Sequence, residues 1–384
     1  MILEDTISQT ILRPTQVTID LDVITSNHRA IKDRAGKAKI MYILKANAYG
    51  HGLVQIARHL ESCGVEYLGV AYLEEGILLR EADVTTPILV LGGIIGDQIP
   101  AFIKYDLTIT ASSIEKLEQI ESAAKELGKK AVAHLKVDTG MERIGMHYYS
   151  AKSLLEAADR CEYTDIEGIY THLANADEED QAYTQVQLDR FEEVLRHYSG
   201  RSDKPMVHIA NSGGFLQVEK AISDMVRIGL LLYGVYPSRH LRPLIDVRPA
   251  LSWTTRVVYF KVVKPGHPVS YGSTWESDQN TRVVTLPVGY GDGYFRSMSN
   301  KARVLIRGQE FEQVGHICMD QTMINIGDGT AYNGDEVVLL GQQGNRSISV
   351  EDLAEWAGTI AYEILTSINT RVPRIYRRKP DLLS

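Results

Sequence analysis

At 384 residues the chain is long enough for two or three domains at about 150 residues each. Its 44% hydrophobic and 23% charged residues exclude a disordered or collagen-like polymer. With 41 basic against 49 acidic residues, a net charge of −8, it lacks the basic footprint of a nucleic-acid binder.

The start, MILEDTISQTILRPTQ, is acidic and polar where a signal peptide is basic and then apolar. No apolar run reaches the roughly 18 residues of a membrane helix. The three cysteines, Cys63, Cys161 and Cys318, form no CxxC pair and no even-numbered framework. A reduced, cytoplasmic protein without a thiolate metal site is the expectation.

From about residue 17 to residue 235, short apolar runs alternate with amphipathic stretches. The runs are KIMYIL (39–44), EYLGVAY (66–72), PILVLGG (87–93), LTITAS (107–112), AVAHLKVD (131–138), IEGIYTH (166–172), PMVHIAN (205–211) and DMVRIG (224–229). Each is rich in β-branched or aromatic residues and has the length of a buried parallel strand. Between them lie helical patterns such as 112–130, which opens on serines and closes near Gly128. Eight such units predict a (β/α)8 barrel over residues 1–245. A doubly wound open sheet fits less well, because no GxGxxG follows the first run. Beyond residue 245 strand-like runs are separated by Gly, Asn and Asp at short spacing, and helical pattern returns only in 349–368. Residues 246–384 therefore read as a mostly β C-terminal domain.

Chemistry in a barrel collects at the C-terminal ends of its strands. Those ends carry Lys45, Lys136 with Arg143, His172, His208 and Arg227. One such residue is ordinarily a solvated or packed side chain. Five strand ends carrying such groups around one ring indicate a shared functional rim. NSGGF (211–215) and the eighth run, MVRIGL (225–230), occupy the place where barrels hold phosphate. Ser212 offers a hydroxyl, or alternatively a plain helix cap, and Gly213 and Gly214 permit close backbone approach. A lysine beside a phosphate site suits pyridoxal phosphate, held by an imine. It suits a sugar-phosphate aldolase equally, and these residues leave that choice open.

Eight motifs narrow it: LKANAYGHG (44–52), LKVDTGMERIG (135–145), YTHLANAD (170–177), HIANSGG (208–214), MVRIGLLLYG (225–234), VGYGDGYFR (288–296), GHICMDQ (315–321) and TRVPRIY (370–376). Together they resemble the alanine racemases, pyridoxal phosphate enzymes with a barrel and a β domain. The resemblance spans residues 12 to 376 in family order. It implies Lys45 as the cofactor lysine and the base on one substrate face, and Tyr290 from the partner subunit of a homodimer as the base on the other. Arg227 would face the pyridine nitrogen, supported by His208 and His172. Tyr49, Ser212, Gly229 and Leu230 would hold the phosphate. Arg143 and Met319 would bind substrate carboxylate, and Lys136 matches a position that is carbamylated in many members. No metal is implied.

Three positions depart from the family pattern. Glu142 stands where GMGRLG-type members have glycine, Thr370 where several have tyrosine, and His316 where arginine is frequent. A wider pocket of altered charge would admit serine beside alanine. The implied product is D-alanine for cell-wall precursors. A non-catalytic pyridoxal-phosphate-binding protein is disfavoured, because such chains are shorter and lack the β domain. A decarboxylase of basic amino acids is disfavoured by VGYGDGY and HICMDQ.

Overall fold

A computed structural model describes residues 12–378, so most of the polar start weighed against a signal peptide lies outside the described residues. Among those described, no helix is long and apolar enough to cross a membrane. The chain divides into two compact units, one comprising Ile24–Ala48 with Gly52–Arg248, the other the chain up to Val23, Tyr49–His51 and Pro249 onward.

The larger unit is the expected barrel. Its strands are β1 (Lys39–Ile43), β2 (Tyr67–Val70), β3 (Ile88–Val90), β4 (Thr108–Ala111), β5 (Ala131–Asp138), β6 (Thr164–Tyr170), β7 (Met206–His208) and β8 (Met225–Ile228). Each pairs in parallel with the next. β8 returns to β1 through Met225 opposite Lys39 and Ile228 opposite Tyr42, which closes the ring. Strands β2 and β4 are buried along their whole length, as expected of strands covered on both faces. The helix Ile114–Leu127 begins with the Ser113 hydroxyl accepting from Lys116 N–H and ends on Gly128 in the left-handed region, φ 61°.

One irregularity bears on the site. Between Ala133 and His134 the β5–β6 register slips, so Ile166 and Gly168 face that pair and Glu167 is the extra residue of a bulge. Gly168 is needed there, since a Cβ would lie 2.6 Å from Nδ1 of His134.

The second unit is built on one large sheet. Its strands run in the order Tyr259–Val263, Thr281–Leu286, Thr322–Gly327, Gln309–Gln313, Arg303–Ile306, Glu336–Gln343, Leu251–Arg256, Gln16–Asp20 and Arg374–Arg377. Trp253 and Tyr294 are buried in it. The helical stretch 349–368 is two helices, Val350–Ala357 and Ala361–Ser367, because Gly358 turns left-handed at φ 75°.

The sequence reading assigned residues 1–245 to the barrel, whereas strand Gln16–Asp20 pairs with Leu251–Arg256 and Arg374–Arg377. The physical reason is its alternation. Val17 and Ile19 are buried while Gln16, Thr18 and Asp20 are half-buried, the signature of a strand with one solvated face.

Candidate active site

Lys45 follows β1 after a single intervening residue and opens a turn of unusual handedness. Ala46, Asn47, Ala48 and Tyr49 all have φ between 51° and 56°. Left-handed backbone costs roughly 1–2 kcal/mol per non-glycine residue, so this turn must be held from outside. Ala46 N–H donates to Oε1 of Glu75 at 2.7 Å, and Leu53 N–H donates to Oδ1 of Asn47 at 2.8 Å. The other oxygen of Glu75 accepts from Ala71 N–H just past β2 at 2.7 Å. Glu75 therefore ties the lysine turn to the neighbouring strand end. Burial and the nearby Arg143 lower the pKa of Lys45, with Glu75 opposing them.

On the neighbouring strand β8, Arg227 is buried. Its guanidinium donates to the carbonyls of His208 (2.8 Å), Thr171 (2.7 Å) and Ile209 (2.9 Å). It also reaches Nδ1 of His208 at 3.1 Å and Nδ1 of His172 at 3.3 Å. Among the described residues no carboxylate reaches it. Burial brings its pKa down to about 10. The same burial, followed by the charges of Arg227, Lys136, Arg143 and Lys45, pushes His172 well below the ordinary histidine value. Tyr170, at the end of β6, stacks on His208 with centroids 4.6 Å apart. It also lies under both Arg227 (5.2 Å) and Lys136 (5.1 Å).

Lys136 is buried, and its ammonium nitrogen donates to the Val137 carbonyl at 3.0 Å. Burial first, then Arg227, bring its pKa down to about 7, with Asp138 opposing and Arg143 adding to the fall. Asp138 spends its carboxylate on the loop instead, accepting from the backbone N–H of Gly140 (2.7 Å), Met141 (2.9 Å) and Arg143 (3.2 Å). Glu142 sits at φ 53°, in the left-handed region that glycine adopts most easily. Its carboxylate pairs with Nε2 of His147 at 2.9 Å, away from Arg143.

At the turn after β7, the helix cap is Asn211, whose side chain accepts from Gly214 N–H at 2.9 Å. Ser212 is free of that duty, and its hydroxyl accepts from Gly229 N–H at 3.1 Å. The two glycines answer to packing: a Cβ on Gly213 would lie 2.8 Å from the Ala176 carbonyl, and one on Gly214 3.0 Å from Leu173. Leu230, buried, opens the 3-10 turn Leu230–Tyr233.

The remaining candidates belong to the second unit. Tyr49 is buried, and burial together with Tyr362 raises its pKa, so its hydroxyl stays protonated. Tyr290 begins the 3-10 turn Tyr290–Asp292, donating its N–H to the Cys318 carbonyl at 3.0 Å. Gly291 N–H donates to the Met319 carbonyl at 2.9 Å, which sets Tyr290 and Met319 side by side. Both side chains are exposed, Tyr290 at 42% and Met319 at 53%. The buried carboxylate of Asp292 anchors the turn, pairing with Arg13 at 2.5 Å and Arg371 at 2.7 Å. His316 packs its ring against Gly272, and Thr370 is exposed beside Asn369.

The barrel thus gathers Lys45, Lys136, Arg143 and Arg227 around His172, with His208 against Arg227. Family models for the alanine racemase N-terminal and C-terminal domains match residues 19–237 and 250–376. The chain belongs to the alanine racemase family. It is 43% identical over 372 residues to the alanine racemase of Halothermothrix orenii, covering 96% of this chain and 98% of that one. The Carboxydothermus hydrogenoformans alanine racemase is 42% identical over 368 residues, covering 95% and 100%. Among solved structures, alanine racemase from Clostridium difficile 630 superposes with a TM-score of 0.91 at 38% identity, covering 96% and 97%. That from Streptomyces lavendulae gives 0.92 at 35% identity, covering 97% and 99%.

Within an alanine racemase frame, sequence reasoning missed Glu75, Tyr170, His134, Glu167 and the Asp292–Arg371 anchor. His134 had a visible signal, standing two residues before Lys136 and so on the same strand face. Glu167 had none, because the bulge re-aims it.

Proposed function

We propose that this isomerase interconverts L- and D-alanine on pyridoxal phosphate held in the barrel. The observation that carries the reading is a gathering of cations at the barrel mouth, with Lys136 and Arg227 buried, Lys45 half-buried and Arg143 exposed, in which the innermost cation, Arg227, has no carboxylate partner among the described residues. Burial first, then the charges of Arg227, Lys136, Arg143 and Lys45, depress the pKa of His172, and among the described residues no carboxylate reaches Arg227. Such a pocket calls for an anionic ligand. A phosphate ester with a phenolic oxygen fits that donor set, so the residues present suit the cofactor.

Lys45 would carry it, Ser212, Gly229 and Leu230 would hold its phosphate, and the motif gives Tyr49 the same task. Once bound, pyridoxal phosphate supplies the electron sink that makes a Cα–H bond of an amino acid acidic. Everything else falls to the chain. Lys45, its pKa lowered by burial and Arg143, takes or returns the proton at Nζ on one face. The phenol of Tyr290 of the partner subunit does so on the other face. Exposure of Tyr290 and Met319 on a turn pinned by Asp292 supports their projection into a second copy of the chain. Arg143 and the partner's Met319 backbone would hold the substrate carboxylate.

Arg227 donates but never accepts, so it would leave the pyridine nitrogen unprotonated and limit transamination. Arg227→Glu should raise the transaminated side product, and an unchanged product ratio would count against this role. Lys136, its pKa brought down to about 7, offers a large neutral fraction that can react with carbon dioxide. That reaction would give the one anion the pocket lacks. Free cysteines at Cys63, Cys161 and Cys318 favour a reducing, cytoplasmic setting.

The deciding experiment incubates purified protein and pyridoxal phosphate with L-alanine and resolves the enantiomers by chiral chromatography. Approach to a 1:1 mixture supports the reading, and folded, cofactor-loaded protein yielding no D-alanine refutes it. L-serine in a parallel reaction decides between a strict alanine enzyme and the broader one suggested by Thr370 and His316.

A further inference from the structure

Behind Arg227 a chain of hydrogen bonds runs through the barrel interior toward its opposite mouth. Nδ1 of His208 accepts from Arg227 at 3.1 Å, Nε2 of His208 meets Nδ1 of His134 at 2.9 Å, and Nε2 of His134 meets Oε2 of Glu167 at 3.1 Å. The Tyr67 hydroxyl donates to the same carboxylate oxygen at 2.8 Å, with Thr108 2.7 Å behind it. His134 and His208 are fully buried, whereas the Glu167 side chain is 41% exposed. Glu167 opens into a cavity shared with Lys39, Lys204 and Asp224 at the N-terminal ends of the strands. The backbone is adapted to this path, because Glu167 is the bulge residue and Gly168 clears the His134 ring.

The chemistry of the donors gives the chain one direction. Burial lowers the pKa of both imidazoles, and hydrogen bonding from His134 lowers that of Glu167, so the histidines are neutral and the carboxylate charged. A carboxylate only accepts, so His134 must carry its proton on Nε2. Its Nδ1 is then a lone pair, which requires His208 to carry its proton on Nε2 as well. Nδ1 of His208 is then a lone pair facing a guanidinium that only donates.

We propose that Glu167 is a remote positioning residue, fixing through His134 and His208 both the orientation of Arg227 and the tautomer that receives it. In effect the carboxylate that Arg227 lacks as a neighbour is supplied from across the barrel through two neutral rings. The proposal rests on Arg227 being the residue that faces the cofactor ring.

The first test uses cofactor-free protein labelled with 15N-histidine, so it does not depend on the racemase reading. Nitrogen shifts should report Nε2–H tautomers for both His134 and His208, and an Nδ1–H tautomer at either overturns the proposal. In Glu167→Leu the His134 tautomers should mix, and in holoenzyme kcat for alanine should fall about tenfold with KM within about twofold. Glu167→Gln keeps an acceptor oxygen and should restore both readings most of the way. Wild-type kcat and tautomers in Glu167→Leu would sink the idea. If that variant does not fold, the wild-type spectrum and Glu167→Gln still decide, since a Gln variant with mixed tautomers contradicts it.

Discussion

The barrel rim and the Tyr290 turn both bury charge, and they treat it in opposite ways. At the turn, Asp292 is fully buried but paired with Arg13 and Arg371, whose own side chains stay partly wet. On the rim, Arg227 is buried among carbonyls and imidazoles, and Lys136 rests on a carbonyl and a ring face with Asp138 near but turned to its own loop. A buried charge costs several kcal/mol unless compensated. The paired charges are therefore structural and shape a turn. In the proposed function the uncompensated ones are the charges that an anionic ligand would neutralise.

The sharpest way to break this contrast is to remove one member from each side. Lys45→Ala should abolish racemisation, because in the proposed function it would take away the cofactor's attachment and a proton carrier together. Tyr290→Phe removes only a proton carrier and should lower kcat by on the order of 10²–10⁴ with the fold intact, read by chiral chromatography and thermal melting. Mixing Lys45→Ala with Tyr290→Ala subunits should regain activity. Silence after proven subunit exchange would undo the shared-site proposal.

Next in size is Asp292→Asn, which leaves two arginines without their carboxylate. A loss of about 2–3 kcal/mol in denaturant unfolding is expected, at the low end for a buried pair because the arginines are partly exposed. Equal stability would mean that the turn is held by backbone bonds alone.

The rim has a titration of its own. Unfolded Lys136 holds its proton up to about pH 10.4, while the folded residue releases it near 7. Between those values the unfolded state binds more protons, so the stability of cofactor-free protein should rise with pH across that window. Lys136→Met should flatten the rise by up to about 1.4 kcal/mol per pH unit in carbon-dioxide-free buffer. A slope unchanged from wild type would show that Lys136 is not a depressed amine. The smallest effect belongs to Glu142→Gly. Relief of a left-handed residue offsets added chain entropy and an exposed pair with His147, leaving stability within about 0.5 kcal/mol.

How much of this was readable beforehand follows contact range. The eight runs of the barrel coincide with its eight strands, and the cluster on its rim contains the residues named from strand ends. Local composition suffices there, since strands covered on both faces must be apolar and the register places their ends together. The strand Gln16–Asp20 was misplaced although its alternation was visible, because its partners lie more than 230 residues away. Ser212, read as a phosphate contact with a helix cap as the alternative, leaves the cap to Asn211, and at Gly213 and Gly214 an added Cβ would crowd Ala176 and Leu173.

The sequence by itself determined which residue types stand at the strand ends, and with them the family and the lysine at its centre. Only the tertiary structure decided how those residues are held. A bulge that slips the register between Ala133 and His134 turns Glu167 toward a histidine on the neighbouring strand. Four left-handed residues after Lys45 persist because Glu75, on the helix after β2, accepts a hydrogen bond from the first of them. Both depend on backbone geometry summed over distant strands, and no local pattern of side chains encodes that sum.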